Sequence, residues 1–192
     1  MIKEFSPLEV LFILDVKSKL KAYLSQHLDL TIEKVKTNPA TAPRYYVSGG
    51  CIGSLLRGEE PNDYDVYFYE KEYADSILRL YNDDPSFQNE VAQIDEKYRE
   101  VSNLPDGRMI TENAITLKNK IQLITKHYGE PTVIRATFDF MHCLPYYDRF
   151  TDKLNISKEQ YDLNIQKKMK LNKGVYQTSR QEKFLKKGWT WQ

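Results

Sequence analysis

Two aspartates one residue apart, Asp63 and Asp65, are the side chains of this sequence best suited to chemistry. They belong to a run ending at Tyr69 that predicts a β-strand, and side chains at i and i+2 of a strand point to the same face. Two adjacent carboxylates are costly to keep ionised together unless a cation neutralises them. Mg²⁺ takes oxygen ligands and leaves positions for phosphate oxygens. The pair indicates a magnesium site, with Mn²⁺ as the alternative ion. Taken alone it is also typical of two solvated acids on a surface strand, and the residues before it favour the metal site.

A glycine turn precedes the aspartates. Ser48-Gly49-Gly50 follows a short predicted strand, residues 44–47, and comes immediately before a predicted short helix. Backbone N–H groups at such a turn can face the phosphates of a nucleotide, and Ser54 in the helix can donate a hydrogen bond to one of them. A phosphate-binding turn followed by a carboxylate pair on the next strand favours metal-assisted nucleotidyl transfer from an NTP.

The segment from Gly49 to Asp65 resembles the head-domain signature of the DNA-polymerase-β-type nucleotidyltransferase superfamily. It is most similar to the branch that contains tRNA CCA-adding enzymes and poly(A) polymerases. The resemblance implies a mixed sheet flanked by helices, a phosphate-binding GG turn, and Asp63 and Asp65 as catalytic metal ligands. The pattern GG-x(4)-LL-x-G-x(2)-P-x-D-x-D is matched by Gly49, Gly50, Leu55, Leu56, Gly58, Pro61, Asp63 and Asp65.

A second, shorter match lies downstream. Asp139-Phe140 resembles the Asp-Phe pair of the family's later Arg-Asp-Phe-Thr-x-Asn-Ala segment. In the wider superfamily a third carboxylate on a later strand completes the site and can deprotonate the attacking hydroxyl, whereas in the CCA-adding branch this segment is associated with nucleotide positioning. The resemblance makes Asp139 the candidate for the third catalytic residue, since the predicted strand Lys120 to Thr125 contains no acid. A structural aspartate that caps the next element is the alternative.

The chain departs from the family at Gly53-Ser54, where Arg-Asp is usual. The match spans roughly Tyr45 to Asp148, and the residues after it are too few for the neck, body and tail regions of CCA-adding enzymes. The resemblance therefore implies transfer of an NMP from an NTP to an acceptor hydroxyl with release of pyrophosphate, rather than CCA addition itself. An RNA 3′ end is the favoured acceptor. A protein or small-molecule hydroxyl, and a catalytically inactive head domain that binds nucleotide or RNA, are the alternatives.

The last part of the chain is basic. Residues 151–192 hold ten basic and four acidic residues, a net charge of +6, which leaves 18 basic and 23 acidic residues and a net −5 for residues 1–150. We predict a nucleotidyltransferase domain over residues 1–150 and a basic, mainly helical segment over residues 151–192. This segment binds RNA through its charges and aromatic rings, or it is a solvated helix face with its aromatics packed inward. Trp189 and Trp191 either stack on bases or anchor the C-terminus.

The elements around these residues indicate an α/β or α+β domain. Residues 6–26 begin with a capping box and continue with apolar residues at helical spacing, which predicts an N-terminal helix. Further helices are predicted over residues 73–81, 88–101 and 130–136. Residues 114–125 predict a hairpin.

Composition excludes several other classes of protein. Of the 192 residues, 41% are hydrophobic and 29% are charged, as is ordinary for a globular protein. The longest apolar run, Val10 to Leu14, is far shorter than the roughly 20 residues of a membrane span, and the first ten residues contain acids that a signal peptide lacks. We therefore expect a cytoplasmic protein without a membrane partner. Cys51 and Cys143 are predicted to be small buried residues, since two cysteines do not make a disulfide framework.

Overall fold

The computed structural model describes residues 4–35, 44–93, 108–172 and 178–192. At its centre is a six-stranded mixed sheet with the order β3-β4-β2-β1-β5-β6, accompanied by a two-stranded sheet of β7 and β8. The strands are β1 (Tyr45–Ser48), β2 (Tyr64–Phe68), β3 (Ala114–Thr116), β4 (Ile121–Tyr128), β5 (Tyr146–Asp148), β6 (Lys153–Asn155), β7 (Lys168–Met169) and β8 (Thr190–Trp191). The helices are α1 (Pro7–His27), α2 (Asp29–Lys34), α3 (Gly50–Leu56), α4 (Lys71–Asp83), α5 (Pro85–Gln88), α6 (Pro131–Arg135), α7 (Lys158–Ile165) and α8 (Thr178–Lys186).

The main core lies on one face of the sheet. Helix α1 begins with the predicted capping box, in which Ser6 and Glu9 each accept a hydrogen bond from the other's backbone N–H. Its core-facing residues Val16, Leu20 and Leu24 are fully buried, as amphipathic spacing predicts. They belong to the same apolar cluster as the inward residues of the central strands.

The central strands present a second, more polar face. Tyr64, Val66 and Phe68 of β2 point into the main core, so the alternating Asp65 and Tyr67 point to the other side. Strand β2 is antiparallel to β1 and parallel to β4. Asp65 therefore has Ser48 of β1 on one side and Gln122 of β4 on the other. This arrangement of mixed sheet and flanking helices confirms the predicted fold class.

The C-terminal segment combines the predicted helices with three short strands. Strand β6 pairs with β5 at the edge of the main sheet, helix α7 packs on α3, and β7 pairs with β8. Trp189, between α8 and β8, is 4% exposed and anchors the C-terminus, while Trp191 is exposed. The domain boundary at residue 150 stays a prediction.

One predicted helix differs from the structure. Helix α5 ends at Gln88, and Val91 and Gln93 form isolated β-bridges with Leu117 and Arg108. The pairing partners lie far along the chain, so local spacing did not reveal them. The remainder of the predicted 88–101 helix lies outside the described residues. No helix in the described ranges has both the length and the hydropathy needed to cross a membrane.

Candidate active site

The glycine turn joins β1 directly to α3 and packs against Asp65. Gly49 has φ of +97° and ψ of −153°, a conformation that essentially only glycine adopts. A Cβ at this position would lie 2.8 Å from Asp65 Oδ2. A Cβ at Gly50, in contrast, would meet nothing within 4 Å. The turn therefore needs glycine at position 49 both for its backbone conformation and for the close approach of a carboxylate.

The two aspartates form an acidic couple. Among the residues described, neither Asp63 nor Asp65 has a hydrogen bond or an ion pair through its carboxylate. Burial, and then the negative charge of Asp63, raise the pKa of Asp65 to about 7, and the charges of Arg180 and Lys183 oppose this effect in part. A carboxylate held in such surroundings has a strong electrostatic preference for a nearby cation.

The donor set fits a divalent ion that is shared with a substrate. Two carboxylates are the usual protein contribution to a Mg²⁺ that also binds phosphates, which would supply further oxygen ligands together with water. Within the described ranges, no cluster of three or more histidine, cysteine or acidic side chains could hold a metal ion. Gln122, the register partner of Asp65 on β4, carries an amide and does not line the cavity described below.

The acidic couple opens into a cavity of about 490 Å³, a volume typical of small-molecule sites. Basic side chains from the C-terminal segment complete the wall. The residues lining the cavity are Gly50, Cys51, Ser54, Arg57, Glu59, Glu60, Asn62, Asp63, Asp65, His142, Cys143, Asn164, Lys167, Arg180, Lys183, Phe184, Lys187 and Trp189. Acids and bases thus line one compartment, as the binding of a metal–triphosphate complex requires.

Most of the predicted site residues meet at this cavity. Gly50, Ser54, Asp63 and Asp65 line it. Gly49 contributes through its contact with Asp65. Ser48 is fully buried, and its hydroxyl donates a 2.9 Å hydrogen bond to the carbonyl of Pro145, so its side chain holds the turn in place.

Asp139 lies apart from the acidic couple. Its side chain is 1% exposed and does not line the cavity. Asp139 Oδ1 lies 3.0 Å from Arg180 Nη1, and Arg180 does line the cavity. The structure therefore connects Asp139 to the site through the Arg180 guanidinium, and not through contact with Asp63 or Asp65.

The glycine at position 53 has a packing reason. A Cβ on Gly53 would overlap Asn164 Oδ1 of α7. Asn164 Nδ2 donates 2.9 Å hydrogen bonds to the carbonyls of His142 and Gln160, so this buried side chain has little room to move. Arg57 also donates to Asn164 Oδ1, at 3.4 Å. Position 53 therefore allows α7 to pack close to α3.

The basic side chains of the C-terminal segment that line the cavity could not be identified individually from the sequence. Arg180, Lys183 and Lys187 line the cavity, and nothing local in the sequence indicates which basic residues of the segment face a distant glycine turn. Arg57 sits 5.0 Å from the centre of the Trp189 ring and ion-pairs with Glu59 at 2.8 Å.

Histidine and cysteine at the cavity are packing residues. Burial and the charges of Arg180 and Arg57 lower the pKa of His142 to about 3, so its ring is neutral at pH 7. The ring packs 4.1 Å from the Trp189 ring. Burial raises the pKa of Cys143 to about 12 and that of Cys51 well above its ordinary value. Both are free and buried, as predicted.

Replacing Asp65 by asparagine is expected to stabilise the metal-free protein, and more at pH 8 than at pH 5. The pKa of Asp65 is about 7 in the folded protein and close to 3.8 when unfolded, so the folded state holds the proton more tightly. The free energy of unfolding of the wild type therefore falls as pH rises from about 4 to about 7. The Asp65→Asn variant has no such loss, so its free energy of unfolding at pH 8 is expected to exceed that of the wild type by about 1–3 kcal/mol. Urea unfolding of both proteins in EDTA at pH 5 and pH 8 measures this difference. If the variant is stabilised equally at the two pH values, the pKa of Asp65 is not raised by burial and by Asp63.

Sequence comparison connects the chain to a phage protein family. The model of the family described as "Gabija anti-defense 2 family protein" matches residues 15–183. A curated relative, "Gabija anti-defense 2" of Bacillus phage SPbetaL7, is 27% identical over 157 residues. The alignment covers 81% of this chain and 33% of the relative, so the chain spans about a third of the length of that protein.

Structural comparison finds the same fold in tRNA-processing enzymes. The CCA-adding enzyme of Bacillus stearothermophilus, solved in complex with CTP, has a TM-score of 0.52 at 10% identity, covering 98% of this chain and 42% of the enzyme. A complex of a tRNA-processing enzyme has a TM-score of 0.51 at 13% identity, covering 84% of this chain and 43% of that one. At these identities the similarity establishes a nucleotidyltransferase-like fold.

Proposed function

The chain belongs to the Gabija anti-defense 2 family, and from the chemistry of its cavity we propose that it is a Mg²⁺-dependent nucleotidyltransferase. One observation carries the proposal: Asp63 and Asp65 form a carboxylate couple at a cavity, without an ion pair to any residue that the structure describes, and the glycine turn packs against Asp65. Carboxylates in this state bind a divalent ion together with phosphate oxygens. Mn²⁺ fits the same ligands.

The reaction moves an NMP from an NTP to a hydroxyl. The hydroxyl oxygen bonds to the α-phosphorus, the bond from that phosphorus to the bridging oxygen breaks, and pyrophosphate leaves with the electron pair. The bound ion supplies charge neutralisation on the phosphates when present. Asp63 and Asp65 hold that ion, the Gly49-Gly50 turn and Ser54 bind phosphate oxygens, and the proton of the hydroxyl passes to solvent.

Asp139 acts in this scheme as a positioning residue. Because its carboxylate is buried and paired with Arg180, it holds that guanidinium at the cavity instead of reaching an acceptor hydroxyl. Asp139→Asn is expected to raise KM for the NTP by roughly three- to tenfold and to change kcat by less than about threefold. Steady-state kinetics measure both. A general base would behave differently, with kcat falling by about 10² or more and KM little changed.

RNA is the proposed acceptor. The net charge of +6 on residues 151–192 supports contact with a phosphate backbone, and the fold is similar to that of a tRNA-processing enzyme. The family's name supports one further acceptor, a hydroxyl on a protein of the Gabija defence system. Incubating the protein with each [α-³²P]NTP, Mg²⁺ and either total RNA or purified Gabija proteins separates the two. Label in the RNA fraction supports the first acceptor, and label on protein moves the acceptor to the second.

An inactive nucleotide-binding domain is the second candidate function. The observation that favours it is that Asp139, the candidate for the third catalytic carboxylate, is buried, pairs with Arg180 and does not line the cavity. An inactive domain would bind NTP and transfer no label to any acceptor. The incorporation experiment therefore distinguishes the two functions when NTP binding is measured on the same preparation.

A further inference from the structure

Helix α8 and the turn after it bring cations to the cavity. Arg180, Lys183 and Lys187 all line it. The charges of Arg180 and Lys183 both act on the carboxyl of Asp65, which shows that this helix and the acidic couple share one electrostatic environment.

Two of these three cations have no acidic partner within the described structure. Arg180 is engaged by Asp139, and elsewhere on the cavity wall Arg57 and Lys167 both ion-pair with Glu59. Lys183 and Lys187 form no ion pair with any residue in the described parts of the chain. Lys183 lies in α8 and Lys187 in the turn immediately after it, and both line the cavity, so their like charges favour a shared anion.

The helix is held over the cavity at both ends. The Arg180–Asp139 ion pair fixes its beginning. After its end, Trp189 is buried against the His142 ring, and the following strand β8 pairs with β7. Phe184 of the helix packs on the same histidine, with ring centres 4.5 Å apart. The two lysines are therefore carried by packed structure and remain exposed to an incoming ligand.

We infer that Lys183 and Lys187 bind the terminal phosphates of the nucleoside triphosphate. The inference rests on the proposed function, and it adds the two lysines, at the terminal phosphates, to the glycine turn and Ser54, while the acidic couple would hold the metal ion. A triphosphate carries more negative charge than the divalent ion neutralises, and ammonium groups form charge-assisted hydrogen bonds to phosphate oxygens. The recognised ligand is the phosphate chain, independent of the base.

The test compares a double variant with a matched control. Lys183→Gln/Lys187→Gln removes both charges, and Lys186→Gln removes one exposed charge of the same helix that does not line the cavity. The probes are inorganic tripolyphosphate, a non-hydrolysable ATP analogue and AMP, each titrated calorimetrically into the full chain with Mg²⁺. The double variant is expected to bind tripolyphosphate and the ATP analogue at least about tenfold more weakly than wild type, with AMP affinity changed less than about twofold. Lys186→Gln is expected to match wild type for all three.

Several outcomes would overturn the inference. Equal tripolyphosphate affinity in the double variant and Lys186→Gln would remove the lysines from the phosphate site. If the double variant loses AMP affinity to the same extent, the substitutions disturb the packing of α8 and do not remove a contact with phosphate. If the double variant binds all three probes like wild type and only total RNA, titrated in parallel, more weakly, the lysines bind the acceptor and not the triphosphate. The lysine-dependent binding of tripolyphosphate by a protein that transfers no label would instead keep the inference and reject the proposed enzyme.

Discussion

Replacing Asp63 by asparagine is expected to lower the rate of NMP transfer by about 10³-fold or more and to leave the protein folded. Asparagine is nearly isosteric with aspartate but carries no charge, so the acidic couple would lose half of the charge that holds the divalent ion. Charge stabilisation by a bound metal contributes several kcal/mol to such reactions, and each 1.4 kcal/mol corresponds to about a tenfold change in rate. Single-turnover transfer measured from an [α-³²P]NTP gives the rate, and thermal unfolding reports the fold.

Glu60→Gln is the matched control for this variant. Glu60 also lines the cavity and loses one negative charge on substitution, but its side chain is 81% exposed and pairs with Lys120. Its transfer rate is expected to stay within about threefold of wild type, because an exposed ion pair contributes little. Equal losses in the two variants would mean that the overall charge of the cavity matters and that Asp63 is not a metal ligand.

Gly49→Ala is expected to lower the free energy of unfolding by about 2–4 kcal/mol and the transfer rate by about 10²-fold or more. Its φ of +97° strains any residue with a side chain. The added methyl group would also lie 2.8 Å from Asp65 Oδ2 and displace that carboxylate. The backbone strain and the contact with Asp65 both act on the turn that links β1 to α3. The variant is therefore expected to lose stability and activity together. Urea unfolding and transfer kinetics measure them.

The neighbouring glycine provides the comparison. Gly50→Ala places its methyl group where nothing lies within 4 Å, at the first position of a helix that favours alanine over glycine. The free energy of unfolding of the free protein is expected to stay within about 0.5 kcal/mol of wild type or to rise. If both alanine variants unfold at the same urea concentration as wild type, the close approach of the turn to Asp65 is not a feature of the folded protein.

Local sequence patterns predicted the elements that hold the candidate site. The capping box at Ser6, the glycine turn and the strand through Asp65 each depend on residues within a few positions of one another. The hairpin of β3 and β4 was predicted for the same reason. The fold class then followed from the order of these elements and from the resemblance of residues 49–65 to nucleotidyltransferases.

Contacts between distant parts of the chain could not be predicted in this way. The pairing of Arg180 with Asp139 and the packing of Asn164 under Gly53 join residues that are 41 and 111 positions apart. The bridge from Val91 to Leu117 replaced part of a predicted helix because a long-range partner was available. Local spacing carries no information about such partners, so the role of α8 at the cavity required the structure.

In the proposed reaction, the bond between the α-phosphorus of an NTP and the oxygen that bridges it to the β-phosphate breaks at this cavity. This cleavage is tested most directly by paired incubations of wild-type protein with [α-³²P]ATP and [γ-³²P]ATP, each with RNA and Mg²⁺, and repeated with the other three NTPs. We predict label on the acceptor from the α-position only and labelled pyrophosphate in solution from the γ-position. Neither product is expected in EDTA or with Asp63→Asn. Acceptor label from the γ-position would indicate a kinase, and transfer that persists in Asp63→Asn would contradict a metal site built on Asp63 and Asp65.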